Sequence, residues 1–270
     1  MGLIFDAGIA DLYRSWCKSP QGRAMDGFVE ESILGHLAPL PGDRVLDIGC
    51  GEGNHLLFFS KLGLDINGID ASSYAVQRAR ERLGHRCTIQ KAKAEDLPFS
   101  DNEFDLAVLI NTLEFLDDPL SALSEAGRVA KRGVFIGVMN SFSWFYLCRR
   151  LQGIFRKSLF SNARFFNLWE LKTYAQQAFG DAPMTWSCAQ VCPSFLGAAP
   201  RFLEDSKKLR HCPFGLFLGV SVTMRYWMKT DQDPLKIGLK KAKQTLAGGI
   251  SVQKAHPLNG AKGNERSLSL

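Results

Sequence analysis

A run of glycines with a carboxylate beside it is the feature of this sequence best suited to chemistry. Residues 44–53 read RVLDIGCGEG, so an apolar segment runs into Gly49 and Gly51, and Asp47 stands two residues before the first glycine. Glycine permits a tight turn and lets a ligand approach the backbone. A helix expected over residues 54–62 would point its N-terminus at that ligand. The pattern predicts a nucleotide-binding turn, with Cys50 as a small packing residue beside the ligand.

The spacing of the glycines bears on which nucleotide is bound. The dinucleotide fingerprint is G-x-G-x-x-G, whereas these glycines follow G-x-G-x-G. A carboxylate at Asp47 would repel a pyrophosphate and attract the ammonium of a methionyl group. The charges therefore favour S-adenosylmethionine (SAM) over NAD, although a glycine-rich loop alone is compatible with any nucleotide site.

A second acid ends the next predicted strand, residues 65–70. Asp70 would reach the same crevice in a doubly wound sheet and accept both ribose hydroxyl protons, with Ala71 beside it in the site. An alternative is that Asp70 only caps the following helix, because Asp-Ala-Ser-Ser before an amphipathic run is also typical of a helix N-terminus.

A third polar element follows the predicted strand 88–92 and contains Glu95, Asp96 and Leu97. Asp96 could accept a hydrogen bond from the adenine amino group while the Leu97 amide donates to a ring nitrogen. The alternative is an ordinary solvated acid in a loop before proline. The apolar segment 104–111 then predicts a buried strand whose polar end, Asn111, meets the cofactor.

Together these residues resemble the class I SAM-dependent methyltransferases, in the type 11-like branch that acts on small molecules. The resemblance covers about residues 10–225 and rests on LDIGCGEG (46–53), Asp70, AEDLPFSDNEFD (94–105) and Met139-Asn140. It implies an α/β fold with a doubly wound, mostly parallel seven-stranded sheet, Rossmann-like, with an antiparallel last strand. It also implies SAM as cofactor and a small-molecule acceptor.

Two positions depart from that family's pattern. Glu114-Phe115 stands where many relatives carry Glu-His, and Lys131-Arg132-Gly133 replaces a Pro-Gly-Gly turn before the fifth strand. The missing histidine leaves the acid-base chemistry open. A catalytically silent SAM-binding regulatory or scaffold protein is therefore an alternative to an active methyltransferase, and an enzyme using decarboxylated SAM or NAD is a further one.

A base is needed if the acceptor is a hydroxyl or an activated carbon. Glu114 is the first candidate because it follows the fourth strand, where substrate and cofactor should meet, although it could simply begin a helix. Tyr13 is the second candidate, on an N-terminal helix expected over residues 10–20 that closes over the methionyl end. Asp117 and His55 are further candidates, and His55 is more typical of a packing or cofactor-contacting residue.

Composition limits the domain organisation and the partners. With 270 residues and 46% hydrophobic content, one elaborated domain is favoured. We expect N-terminal cap helices (1–42), a SAM-binding core (43–140), a lid insertion plus a helix (141–180), the last strands (181–230) and a flexible tail (236–270). A net charge of +6 is too modest to indicate nucleic-acid binding. The sequence carries no signal for the oligomeric state.

Cysteine usage and hydropathy predict a cytoplasmic protein. Seven cysteines without a C-x-x-C pair argue against a disulfide framework and against a metal site. The N-terminus lacks the pattern of a secretory signal, and the longest apolar run, 214–224, is shorter than the about 20 residues that a spanning helix needs.

The insertion after the fifth predicted strand (134–139) is aromatic and basic. Residues 141–166 combine Phe, Trp and Tyr with Arg and Lys, and in this fold they should overhang the methyl donor. The segment could pack as an ordinary cap. Alternatively it lines an apolar pocket or contacts a membrane surface peripherally, with its cations on an anionic group. A lipid-like acceptor such as a quinone precursor would suit it.

The remaining pattern completes the expected architecture. We expect helices over 30–40 and 167–180, and strands over 184–191 and 214–224 that form an antiparallel hairpin at the edge of the sheet.

Overall fold

The computed structural model describes residues 7–143, 146, 163–189 and 211–224. The predicted tail (236–270) and most of the insertion (141–166) lie outside these residues. Within the described part of the chain, no helix is both long and apolar enough to cross a membrane.

The described residues form a seven-stranded sheet with helices on both faces. The strands are β1 (Arg44–Ile48), β2 (Asp65–Asp70), β3 (Thr88–Lys91), β4 (Phe104–Ile110), β5 (Ala130–Met139), β6 (Met184–Ala189) and β7 (Phe217–Thr223). The helices are α1 (Ala7–Cys17), α2 (Pro20–Leu37), α3 (Asn54–Lys61), α4 (Ser73–Leu83), α5 (Pro119–Val129) and α6 (Leu168–Phe179), with short 3₁₀ turns at Gly84–Arg86 and Leu113–Phe115.

The strand order is β3-β2-β1-β4-β5-β7-β6. Strands β1 to β5 all run parallel to one another. Strand β7 pairs antiparallel with both β5 and β6. The Rossmann-like, doubly wound fold and its antiparallel end are thus confirmed. The chain order reverses between β1 and β4, and ligands of such sheets bind at this switch point, outside the carboxyl ends of the strands.

Alternation along the strands divides the core into two layers. Leu46 and Ile48 of β1 pack with Leu109, α5 and α6 on one face, whereas Val45 packs with Val108, α2, α3 and α4 on the other. Successive strand side chains point to opposite faces, so an almost continuous apolar strand serves both layers. Burial on both sides fixes the register of β1 and β4, and hence the position of the loops that follow them.

The starts of α2 and β5 differ most from the predicted boundaries. A helix was expected over 30–40, but α2 already begins at Pro20, where the Ser19 hydroxyl accepts a hydrogen bond from the Gly22 amide at 3.0 Å. Serine followed by proline is a strong helix start, and it outweighs the low helix propensity of the three glycines inside α2.

The second difference concerns β5, which starts at Ala130 rather than at residue 134. Lys131-Arg132-Gly133 is therefore strand and not turn, because Gly133 pairs with Leu106 of β4 and with Thr223 of β7. A Cβ on Gly133 would lie 2.7 Å from Leu37 Cδ2, which explains why glycine stands at this crowded strand position.

Candidate functional site

A cleft that is open to solvent lies at the carboxyl ends of β1, β2 and β4. Ligands of doubly wound sheets bind in this position. Its lining comes from α1, the glycine turn, α3 and the residues after β2 and β4: Ala10, Tyr13, Gly49, Cys50, Gly51, Glu52, Asn54, His55, Asp70, Ala75, Ile110 and Asn111. The fold thus brings the predicted Asp70, Asn111 and glycine turn together with Tyr13.

The turn after β1 requires glycine for two reasons. Gly49 has φ +79°, a left-handed conformation that other residues adopt at a cost of about 1–2 kcal/mol. In addition, a Cβ at Gly49 would lie 2.5 Å from the Thr112 side chain, whose hydroxyl donates to the Ile48 carbonyl at 2.8 Å. The Gly49 and Cys50 amides both donate to the Ile69 carbonyl, which ties the turn to β2.

Asp70 braces this turn from the end of β2. Its Oδ2 accepts a hydrogen bond from the Gly51 amide at 2.9 Å, and its Oδ1 accepts one from the Ser72 amide at 2.8 Å. Burial raises the pKa of this carboxyl, and the two amide bonds oppose that rise. A carboxylate has about four acceptor sites, so capacity remains for a diol. The cap of α4 is Ser72, whose hydroxyl accepts from the Ala75 amide, and the alternative that Asp70 caps this helix is wrong.

Asp47 lies behind the pocket lining and is 1% exposed. Burial raises its pKa to about 6; the nearby His55 opposes this rise and Asp70 adds to it. Its Oδ2 has no hydrogen-bond partner. Because a buried carboxylate without a partner is costly, this atom points to a cationic or hydrogen-bond-donating group that completes the site.

The opposite wall carries Tyr13 and Asn111. Asn111 has φ +52°, a strained conformation that is typical of functional sites, and its buried Oδ1 has no hydrogen-bond partner. Its Nδ2 contacts the Met25 sulfur at 3.6 Å. Burial raises the pKa of Tyr13 well above 10, although a hydrogen bond with Asn111 opposes this, so the phenol keeps its proton at neutral pH.

Helix α1 is held against the glycine turn by polar contacts. Arg14 Nε lies 3.2 Å from Glu52 Oε2, and Asn54 Nδ2 lies 3.7 Å from the Cys17 sulfur. These contacts place α1 over one side of the pocket, as the sequence predicts for the N-terminal helix. Glu52 was not among the predicted site residues, and its place within the glycine run was the only sequence signal for it.

Several predicted cofactor contacts lie outside the pocket lining. Asp96 and Ala71 are exposed and Glu95 is half-buried. The Leu97 amide donates to Glu125 Oε2 at 2.9 Å in this structure, and its contact with an adenine nitrogen stays a prediction. The acceptor, Glu125, lies on α5 and reaches this loop from there. Arg128 also binds the Glu125 carboxylate. Nothing in the local sequence around Leu97 predicts that tertiary contact.

Glu114 is buried in a 3₁₀ turn and is not part of the pocket lining. Its Oε1 accepts a hydrogen bond from the Met139 amide at 2.7 Å, and its carbonyl accepts one from the Arg164 amide at 2.8 Å. Burial raises the pKa of the carboxyl to about 8, against the effect of the Met139 bond. The geometry shows a residue that ties the end of β5 to the segment around Arg164, and its catalytic role stays a prediction.

The donor set fits SAM at each end of the molecule. Asp70 has spare acceptor capacity for ribose hydroxyls, the glycine turn leaves room for a ligand on the backbone, and Asp47 offers an unpartnered buried oxygen for an ammonium. A pyrophosphate would meet two acids, Glu52 and Asp70, against one lining residue able to carry positive charge, His55. The arrangement therefore favours a cationic nucleoside ligand over NAD.

Comparisons with known proteins agree with this assignment. A family described as "Methyltransferase domain" matches residues 46–137. An uncharacterized protein of Mycobacterium tuberculosis is 30% identical over 164 residues, which are 56% of this chain and 60% of that protein. The ubiquinone biosynthesis O-methyltransferase of Thiobacillus denitrificans is 34% identical over 116 residues, 41% of this chain and 50% of that enzyme. The chain thus matches less than two thirds of the length of either relative.

Among solved structures, a SAM-dependent methyltransferase of Thermotoga maritima aligns with a TM-score of 0.58 and 24% identity, covering 80% of this chain and 95% of that chain. This likeness shows the shared fold. Together with the family match, it indicates a methyltransferase domain over residues 46–137, and the pocket formed by the glycine turn and Asp70 lies within these residues.

Proposed function

We propose that this protein transfers the sulfonium methyl group of SAM to a small, apolar or amphipathic acceptor by in-line displacement. The observation that carries the proposal is the Asp70 carboxylate, which accepts from the Gly51 and Ser72 amides in the pocket lining, while the unpartnered buried acid Asp47 lies behind that lining. Names of relatives that include methyltransferases support a catalytic protein over a silent scaffold.

The roles of the pocket residues follow from their chemistry. When bound, SAM supplies an electrophilic methyl group on a positively charged sulfur. Asp70 would hold the ribose, Asp47 the ammonium, and the glycine turn the main chain of the methionyl part. Alignment of the acceptor accounts for most of the rate in such a displacement. Tyr13 and Asn111 stand at the pocket wall where they could orient an acceptor by hydrogen bonds.

Proton removal is a separate matter. Because burial raises the pKa of Tyr13, we propose it as a hydrogen-bonding group at neutral pH, and its role as a base stays a prediction. Glu114 would have to exchange its bond to the Met139 amide for one to the acceptor before it could act as a base. We keep that role as a proposal that a single substitution tests.

Two features support an amphipathic acceptor. After β5, Phe142 and Trp169 are 49% and 54% exposed, with ring centroids 5.8 Å apart, and they form an aromatic surface beside the start of the predicted lid. One relative is named as a ubiquinone biosynthesis O-methyltransferase, which agrees with a small-molecule acceptor. Peripheral membrane contact through residues 141–166 stays a prediction.

We also propose a cytoplasmic location. None of the five cysteines among the described residues, Cys17, Cys50, Cys87, Cys188 and Cys212, forms a disulfide, as expected in a reducing compartment.

Calorimetry and a transfer assay test the proposed function. We expect the wild type to bind S-adenosylhomocysteine (SAH) at micromolar concentrations and not to bind NAD, and Asp70→Ala to abolish SAH binding. Asp65→Ala is the matched control, because this acid begins the same strand at its far end and contacts Arg44 on the surface. Methyl-labelled SAM with phenolic, quinol and aliphatic acceptors then reports transfer. SAH binding that survives in Asp70→Ala would refute the assigned site, and no transfer to any acceptor would refute catalysis.

A further inference from the structure

His55 is a buried pocket residue that the proposed chemistry has not used. It lies in the first turn of α3, lines the pocket and is 8% exposed. Its Nε2 has no hydrogen-bond partner, because the nearest carboxylate oxygen, Asp26 Oδ1, is 3.7 Å away. A buried ring nitrogen in this state points to a ligand atom that completes its hydrogen bonding.

The groups around His55 favour its charged form. Burial alone lowers the pKa of the imidazole, but the carboxylates of Asp26 and Glu30 on α2 and of Asp47 on β1 outweigh it, and the pKa is raised. From α1, Tyr13 and Cys17 lie in the same cluster, and burial raises the pKa of each, so both are neutral at pH 7. From α4, the Arg82 guanidinium donates to Asn54 Oδ1 and also lowers the pKa of Cys17, and the nearby carboxylates outweigh this positive charge at His55.

The acids around the pocket can bind the ammonium of an amino acid but not its carboxylate. Glu52 and Asp70 are acids in the lining, and Asp47 lies behind it, so an ammonium finds partners readily. Of the described residues that line the pocket, His55 alone has a side chain able to carry positive charge. A carboxylate enclosed among acids needs such a cation.

The start of α3 adds a second attraction for an anion. Gly53 is the N-cap of this eight-residue helix and provides no side-chain cap, so backbone N–H groups of the first turn are left for another acceptor. The helix dipole at this end also favours negative charge. His55 and the uncapped amides thus belong to the same turn.

We propose that His55, as an imidazolium, binds the carboxylate of the amino-acid end of SAM while Asp47 binds the ammonium, so that the site selects the complete α-amino acid. The inference rests on the proposed SAM site. It gives a partner to the carboxylate of the ligand, which the acids of the site cannot bind. It also gives a reason for rejecting decarboxylated SAM, which lacks the group that His55 binds.

The proposal makes affinity depend on pH at both ends of a window. As the pH falls through about 6, Asp47 takes up a proton and the ammonium loses its partner. As the pH rises through the raised pKa of His55, the imidazolium loses its charge and the carboxylate loses its partner. Affinity for SAH is therefore greatest between the two.

The test compares two ligands that differ by one carboxylate. Calorimetry at pH 7 measures SAH and its decarboxylated analogue, S-adenosyl-3-thiopropylamine, on the wild type and His55→Gln. We expect the wild type to prefer SAH, and the substitution to weaken SAH binding about 10- to 100-fold, the range for a lost charge-assisted hydrogen bond, while binding of the analogue changes about twofold at most. His36→Gln is the matched control, a histidine outside the pocket lining whose ring contacts Ser221.

Asp26→Asn provides a second variant that leaves the histidine in place. Removing this carboxylate lowers the pKa of His55, so the alkaline loss of SAH affinity should move to lower pH while affinity for the analogue stays unchanged. An NMR titration of the His55 ring in the free protein measures the same shift directly.

Four results would overturn the inference. An equal loss of both ligands in His55→Gln would assign His55 to the structure of the pocket, and unchanged affinity with reduced turnover would make it a base for the acceptor. A wild type that binds both ligands equally, with binding still dependent on Asp70, would refute the carboxylate contact alone. Failure of the wild type to bind SAH would refute the proposed function as well.

Discussion

Glu114→Gln should stabilise this protein at neutral and alkaline pH. The Glu114 carboxyl is buried, its Oε1 accepts from the Met139 amide and its Oε2 has no partner. Glutamine has nearly the same shape and keeps an oxygen for the Met139 amide. It carries no charge at any pH, so the substitution removes the free energy that burying a carboxylate requires.

The size of the effect follows from the pKa of Glu114, which burial raises from 4.5 to about 8. In the unfolded chain the group ionises freely above pH 4.5, whereas the folded protein holds its proton up to about pH 8. The stability that the protonated form provides is complete below pH 4.5 and is lost as the pH rises through this range. At 1.36 kcal/mol per pKa unit, the penalty removed by glutamine is about 1 kcal/mol at pH 5, about 3 at pH 7 and about 4 at pH 8.

Urea denaturation of both proteins at pH 5, 7 and 8 measures this difference as a change in the free energy of unfolding. Glu125→Gln is a control of opposite sign, because it removes a carboxylate that Arg128 stabilises, and it should lower the free energy of unfolding equally at the three pH values, since Arg128 holds the pKa of Glu125 below its usual 4.5. A difference between Glu114→Gln and the wild type that stays constant from pH 5 to 8 would contradict the assignment of Glu114 as a buried, protonated carboxyl.

Three further outcomes are expected. Asp70→Asn, which keeps the shape of the side chain but loses its charge, should weaken SAH binding at least tenfold by calorimetry; affinity within a factor of two would count against the ribose contact. Gly49→Ala should lower the free energy of unfolding in urea by about 3 kcal/mol, because of its φ of +79° and the close Thr112 side chain. Gly51→Ala, with φ +54° and nothing within 4 Å of the added Cβ, should lose about 1 kcal/mol, and equal losses would remove the steric argument. Because Glu114 keeps its proton up to about pH 8, a role as base requires turnover that rises with pH toward that value, and Glu114→Gln should lower this turnover while leaving SAH affinity nearly intact; unchanged turnover would end its candidacy as a base.

The strands and the glycine turn were predictable because their signals are local. A buried strand is an apolar run, and the turn after β1 needs glycine at Gly49 whatever surrounds it. The long α2 shows where local reading falls short. Its start was present in the sequence as Ser19-Pro20, but glycines inside the helix made a shorter helix the natural prediction.

The sequence predicted which residues belong to the site better than it predicted their contacts. Asp47, Asp70 and Asn111 were recognised by their places after strands, since parallel strands bring their carboxyl ends together. The contacts of Leu97 with Glu125 and of Glu114 with Met139 join residues 28 and 25 positions apart, and no local pattern predicts them. The charge of His55 likewise depends on acids from two other elements.

Helix α1 has a consequence for the time that a ligand stays bound. Ala10 and Tyr13 form part of the pocket wall, and α1 is fastened to the glycine turn through Arg14–Glu52 and Cys17–Asn54. A nucleoside bound in this pocket would therefore lie against this short helix. The contacts that hold α1 against the glycine turn would slow the dissociation of SAH as much as that of SAM. We therefore expect their strength to limit the rate at which SAM replaces SAH in the site.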